Sequence, residues 1–280
     1  MPLRVNIPGE SYRALQEAPD TAAIVNSARE EFACRYPDVK LQRLVVVIAA
    51  FNEAANIGAV LDEIPAQIAD VPVSQLVIDD GSTDGTSEAA RRHGALVCTL
   101  SANRGHGVAL RLGYRIAREA GAGLIATLDG DGQWDPADLP AMVRMIEEDR
   151  ADFVVGSRQL GQTENTDHFR NVGVRFFARL VSRLTGARIT DTSSGLRVMR
   201  ADMTEVVRQT QPQYQTSELL IGALFNGYRV AEVPTTMRQR LSGASKKGGN
   251  VFYGLRYARV IAKTWWRERG AARRVPARPR

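Results

Sequence analysis

Two clusters of carboxylates in this 280-residue chain have the spacing of ligand-binding turns. Asp129-Gly130-Asp131-Gly132-Gln133 sets two carboxylates on either side of one small residue, with an amide oxygen close behind. Oxygen ligands so spaced can hold one hard divalent cation, Mg²⁺ or Mn²⁺, which shares its shell with substrate phosphates. The spaced acids and closing Glu of a calcium-binding loop are missing. The second cluster is Asp79-Asp80-Gly81-Ser82-Thr83-Asp84-Gly85-Thr86. Its glycines permit a tight turn, and its carboxylates can accept hydrogen bonds from a base and a ribose. A plain strand-to-helix turn capped by Ser82 or Asp84 would explain part of it, but not the whole run. A third group, Arg240, Ser245, Lys246 and Lys247, lies in a glycine-rich loop. There Arg and Lys can close on a diphosphate, or simply face water.

Other chemistries fit less well. Gly105-His106-Gly107 has the first two glycines of a dinucleotide fingerprint, but Leu110 stands where the third is needed. There is no phosphate loop of the Gly-Lys-Ser/Thr kind, and none of His93, His106 and His168 follows a nucleophile elbow.

Each acidic cluster follows an apolar run. Leu44–Ala50 reads as a strand buried on both faces, and Leu76–Ile78, Leu96–Leu100, Leu124–Leu128 and Phe153–Val155 read as further strands. Helical spacing fills the intervals at Asn52–Ile68 (with Asn52 as cap), Thr83–His93, Gly107–Ala120 and Pro136–Glu148. Such alternation predicts an α/β fold, a mainly parallel sheet flanked by helices, with functional residues where strands end. Beyond Gly156 the pattern loosens. Helices are expected at Arg170–Thr185, Ser217–Asn226 and Val251–Arg267, and strands at Gly195–Met199 and Arg229–Arg238.

The hydrophobic fraction of 44% and charged fraction of 24% suit an ordinary folded protein. The longest apolar stretch, Leu44 to Phe51, is too short to cross a bilayer, and the N-terminus lacks the pattern of a secretion signal. Cys34 and Cys98 share no metal-ligand spacing and read as reduced thiols, which suits a cytoplasmic location. The net charge of +6 is concentrated near the end, where Lys and Arg crowd residues 256–280 against one acid, Glu268. The expected organisation is an N-terminal helical extension (1–42), a catalytic domain (43–249), an amphipathic C-terminal helix (250–270) and a disordered basic tail (271–280).

Taken in order, Ala49-Ala50-Phe51-Asn52-Glu53, Asp79 to Thr86 and Asp129-x-Asp131-x-Gln133 resemble inverting glycosyltransferase family 2. Glu232-Val-Pro234 and Arg240-x-x-Gly243-x-Ser245-Lys246 are similar to its polyprenyl-phosphate mannose and glucose synthase branch. The resemblance spans about Leu44 to Lys246 and implies a single GT-A-type nucleotide-diphosphosugar transferase domain. By the same resemblance Ala50, Phe51, Glu53, Asp79, Asp80 and Arg104 bind the donor nucleotide. Asp129, Asp131 and Gln133 hold Mg²⁺ or Mn²⁺ on its diphosphate, and Arg240, Ser245 and Lys246 neutralise phosphates. Asp191, Ser194, Gly195 and Arg197 flank the transferred sugar and the acceptor phosphate. Two departures are His106, where the branch usually has Lys, and Met237, where an aromatic is common.

The implied reaction moves a hexose from GDP-mannose or a UDP-sugar to a polyprenyl phosphate with inversion. A lipid phosphate needs no general base, since its second pKa is about 6. A soluble hydroxyl acceptor would need one. Glu218 is the candidate, against its plain reading as an exposed first-turn acid. The last helix, with Leu255, Val260, Ile261, Trp265 and Trp266 beside Arg256, Arg259, Lys263, Arg267 and Arg269, either lies in a membrane interface or packs on the domain. A peripheral place on the inner face of the membrane follows from the first option. No nucleic-acid partner is expected, and an oligomer stays open. A sugar nucleotidyltransferase would carry a glycine- and basic-rich loop where this chain has Phe51-Asn52-Glu53. A non-catalytic, membrane-associated sugar-nucleotide sensor would have no use for the full metal set.

Overall fold

The computed structural model describes residues 20–164, 168–211, 213–242 and 250–272. Strand β1 (Leu44–Ala50) is its centre, and every residue of it is buried. Its side chains alternate between two cores. Val45, Val47 and Ala49 enter one, and Leu44, Val46, Ile48 and Ala50 the other. A strand apolar on both faces needs cover on both, and the helices supply it.

Along the chain the elements are α1 (Thr21–Arg35), β1, α2 (Ile57–Asp62), β2 (Gln67–Ile68), β3 (Val71–Asp79), α3 (Thr86–Arg92), β4 (Leu96–Thr99), α4 (His106–Glu119), β5 (Leu124–Asp129), α5 (Leu139–Glu147), β6 (Phe153–Thr163), α6 (His168–Thr185), β7 (Arg197–Arg200), α7 (Met203–Val206), α8 (Gln215–Phe225), β8 (Val230–Met237) and α9 (Asn250–Ala272). In the sheet, β4-β3-β1-β5 run parallel, β7 lies antiparallel between β5 and β6, and β8 is parallel to β6. Two-residue β2 only forms a hairpin on β3. Parallel register brings the ends of three strands to one edge, pairing Ala50 with Asp79 and Ala49 with Asp129.

The helix expected over Asn52–Ile68 is only α2, and Asn52 does not cap it. Asn52 has φ 53° and its Oδ1 accepts from Thr83 N at 2.9 Å. Glu53 N donates to Thr86 Oγ1 and Ala54 N to Asp84 Oδ2. The segment after β1 is therefore stitched to the turn after β3, and its backbone is not available for a helical first turn. Strand β6 runs well beyond the expected Val155 because β8 pairs with it again after a bulge.

Helix α1 covers the edge strand β4. Val97 N donates to Tyr36 Oη at 3.3 Å and Cys98 Sγ to Ala28 O at 3.4 Å, so part of that edge is occupied by a helix. The apolar face of α9 packs on the domain, burying Tyr257, Val260 and Ile261, and leaves Leu255 and Trp266 outside.

Candidate active site

The loops after β1, β3 and β5 meet at the sheet edge. Asp79 and Asp80 are only 2% and 3% exposed. Asp79 accepts from Ser82 N at 2.8 Å and from Ser87 Oγ at 2.5 Å. Asp80 accepts from Arg104 N at 2.7 Å and Gly105 N at 2.8 Å. Burial raises the Asp80 carboxyl to about 6, against the pull of those two N–H groups. Both carboxylates thus shape the loops at this sheet edge. Gly81 (φ 75°) allows this closeness, since a Cβ there would strike the backbone of Ala102 and Asn103.

Asp129 and Asp131 occupy the end of β5. Asp129 Oδ2 accepts from Trp134 Nε1 at 2.9 Å, and its Oδ1 lies 3.5 Å from His106 Nε2. Asp131 Oδ1 accepts from Gln133 N, and its Oδ2 receives Arg240 Nη2 at 2.6 Å. The same guanidinium reaches Glu53 Oε1 at 3.1 Å. Residue 195 must be glycine here, because a Cβ would overlap the Asp129 carboxylate. Among the described residues no three His, Cys, Asp or Glu side chains converge on one metal position. Asp129 and Asp131 nevertheless supply hard carboxylate oxygens of the kind that could hold a divalent ion, with the Arg240 guanidinium lodged between Asp131 and Glu53.

The segment after β8 closes this edge. Arg238 N donates to Gln133 O at 2.7 Å, Leu241 N to Asp131 O at 3.3 Å, and Ser242 Oγ to Asn56 Oδ1 at 2.5 Å. Ser245 and Lys246, named from the sequence, lie outside the described residues. Phe51 is half-buried beside Ala50, whose carbonyl accepts from Asp80 N at 2.8 Å.

On the other side of Asp129 stands the segment 190–197. Asp191 is fully buried and forms a two-pronged pair with Arg158, at 2.7 and 3.1 Å. Glu232 accepts from Thr190 N and Asp191 N and so fixes the segment to β8. Ser194 is buried and donates to Leu196 O. Arg197 is 1% exposed. Its Nη1 reaches Gln215 Oε1 at 3.4 Å and the side chain also bonds Tyr114, while its Nε and Nη2 have no hydrogen-bond partner among the described residues. Arg158 and Trp134 were not picked out from the sequence, although they touch the site residues Asp191 and Asp129 and stack at 5.5 Å. The signal for Arg158 was its place two residues after the apolar run Phe153–Gly156.

Glu218 lies elsewhere and is not the exposed first-turn acid expected as its plain reading. It is wholly buried in α8 and accepts from Thr210 N, Thr210 Oγ1, Gln211 N and Arg267 Nη1, the last at 2.8 Å. Those four donors tie α8 to the preceding loop and to α9.

The family model described as glycosyl transferase family 2 matches residues 45–208. The chain belongs to this family. Among its relatives is the dolichyl-phosphate hexose transferase of Haloferax volcanii, 34% identical over 70% of this chain and 83% of that protein. Another is the undecaprenyl-phosphate mannosyltransferase of Micrococcus luteus, 28% identical over 75% of this chain and 89% of its own length. A solved structure, glucosyl-3-phosphoglycerate synthase from Mycobacterium tuberculosis with Mn²⁺, UDP and glucosyl-3-phosphoglycerate, superposes with a TM-score of 0.62 at 20% identity. It covers 88% of this chain and 84% of that one. The glycosyltransferase thus has the GT-A architecture, and the loops after β1, β3 and β5 lie within the matched span, while the segment after β8 that carries Arg240 lies beyond it. Helix α1 lies outside it.

Proposed function

We propose that this glycosyltransferase moves a hexose, with inversion, from a nucleotide diphosphate sugar to a polyprenyl phosphate. The observation that carries the reading is the meeting of Asp129, Asp131, Glu53 and Arg240 at one strand edge, with the 190–197 segment and its buried Arg197 on the far side of Asp129. Asp129, Asp131 and Gln133 would hold Mg²⁺ or Mn²⁺, which when bound offsets the charge developing on the leaving diphosphate. Arg240 would pass from Asp131 to the diphosphate, where its fork fits phosphate oxygens. Arg197, a buried guanidinium whose Nε and Nη2 lack a hydrogen-bond partner among the described residues, supports an anionic acceptor.

The relatives named for dolichyl and undecaprenyl phosphate favour a lipid acceptor. A lipid phosphate is largely ionised near neutral pH and attacks without a base, given a second pKa of about 6. That agrees with the engagement of Glu218 in four hydrogen bonds. No helix among the described residues is long and apolar enough to cross a membrane. The enzyme would meet its lipid peripherally, at the inner face of the membrane, through α6 and α9.

The test is a panel of nucleotide sugars with Mn²⁺, with and without a short polyprenyl phosphate, following nucleoside diphosphate release. Lipid-dependent release that stops on chelation supports the reading. Release driven by a soluble hydroxyl acceptor and indifferent to lipid overturns the acceptor assignment, and turnover that persists in chelator overturns the metal.

A further inference from the structure

Helix α1 lies outside the span matched by the family, yet it reaches the loop that borders the nucleotide edge. Arg104 is the point of contact. Its Nη2 donates to both oxygens of Asp20, at 3.1 and 3.0 Å, and Asp20 is the residue from which α1 starts. The Arg104 and Gly105 backbone N–H groups are held by Asp80. One loop is therefore fixed by two acids, its backbone by the turn after β3 and its side chain by α1. Arg104 Nη1 donates to Asn103 O at 3.0 Å, and its Nε is buried without a hydrogen-bond partner among the described residues. A long, flexible side chain has been brought to a single placement with one donor left over.

We propose that Asp20 is a positioning residue for the donor nucleoside, holding the Arg104 guanidinium ready for the base or ribose. The inference rests on the nucleotide-sugar reading above. An element outside the matched family span would thereby set donor affinity, without touching the diphosphate or the acceptor.

Substituting Asp20 leaves the helix docked. Ala28 and Phe32 are buried under it, and Arg29 pairs with Glu119 of α4 at 3.1 Å. The Arg104 side chain is 15% exposed and that of Asp20 57%, so the pair itself adds little to stability.

The experiment is calorimetric titration of wild type, Asp20→Asn and Arg29→Gln with UDP, GDP and inorganic pyrophosphate, each with Mn²⁺, alongside donor kinetics. For the nucleoside diphosphate that wild type prefers, Asp20→Asn is expected to weaken binding about three- to fivefold, the scale of a partly exposed ion pair. The donor KM should rise by the same factor with kcat unchanged, pyrophosphate binding should not move, and Arg29→Gln should behave as wild type. Wild-type affinity in Asp20→Asn overturns the proposal. So does an equal loss for pyrophosphate, or the same loss in Arg29→Gln, which would make helix docking the cause. A wild type that binds neither nucleoside diphosphate overturns the donor reading itself, a result distinct from these.

Discussion

Arg240 Nη2 donates to Asp131 Oδ2 at 2.6 Å, so a fixed positive charge rests on a carboxylate assigned to the divalent ion. Both side chains are mostly buried, 18% and 9% exposed, which strengthens their attraction. If Asp131 holds the proposed ion, metal and guanidinium would compete for it until a diphosphate took the arginine. Arg240→Gln should bind Mn²⁺ more tightly than wild type without nucleotide, yet turn over about a hundredfold more slowly, as expected when a donor to the leaving group is lost. Titration of the free ion by electron paramagnetic resonance separates the two effects. Weaker Mn²⁺ binding in this variant would show that Arg240 supports the ion and does not oppose it.

Glu218 offers the opposite case, a carboxylate whose partners are all structural. Its pair with Arg267 joins α8 to α9, and the acid has no exposure at all. Glu218→Ala leaves two backbone N–H groups without their acceptor and takes one of two carboxylates from Arg267, which keeps Glu268 at 2.7 Å. It should cost about 3 kcal/mol, the low end for a buried pair because Arg267 keeps that second partner and 22% exposure. Urea denaturation measures this, and turnover by the folded fraction at low temperature should stay near that of wild type. A variant of normal stability without activity would restore Glu218 to the chemistry.

What could be read from the sequence follows how local each feature is. The strands were legible because their apolar runs are local, and the Asp129–Gln133 and Asp79–Thr86 turns stood out because acids and glycines directly followed those runs. The fate of Asn52 was not legible. Capping rules placed it at a helix start, but its partner Thr83 lies beyond α2, β2 and β3. Glu218 looked like a solvent-facing acid for the same reason, since Arg267 comes from the end of the chain. Helix α1 had a recognisable composition, but nothing local in residues 20–35 reveals that Asp20 meets Arg104. Pairings between distant elements are a property of the fold, and no periodicity announces them.

The raised Asp80 carboxyl gives a pH signature. Its ordinary value is 3.8 and burial takes it to about 6 in the folded enzyme. Between these values the folded state holds a proton that the unfolded chain releases. Its contribution to stability is present in full below 3.8 and is lost as pH rises through 6. Asp80→Asn removes this term, so the fall in stability between about pH 4 and 6 should be shallower by up to about one proton. Urea midpoints collected at several pH values test this, and parallel curves for the two proteins would reject it.

Helices α6 and α9 pack side by side and carry the surface proposed above to meet the lipid. Phe177 of α6 meets Tyr257 of α9 edge-on at 4.7 Å, and Trp265 Nε1 donates to Leu184 O. Outside that seam Val172, Phe176, Leu255 and Trp266 are 60–73% exposed. Exposed Arg175, Arg179, Arg183, Arg259, Lys263 and Arg269 lie on the same helices, while the one acid, Glu268, is buried. Apolar side chains among fixed positive charges suit a bilayer with anionic headgroups, each basic residue adding about 1 kcal/mol close to the surface. Wild type should sediment with phosphatidylglycerol vesicles and poorly with phosphatidylcholine, and added salt should release it. Phe176→Glu with Trp266→Glu should abolish sedimentation and raise KM for a long polyprenyl phosphate, with KM for the nucleotide sugar unchanged. Equal sedimentation with both lipids, or a double variant that still binds, would place the lipid contact on another face.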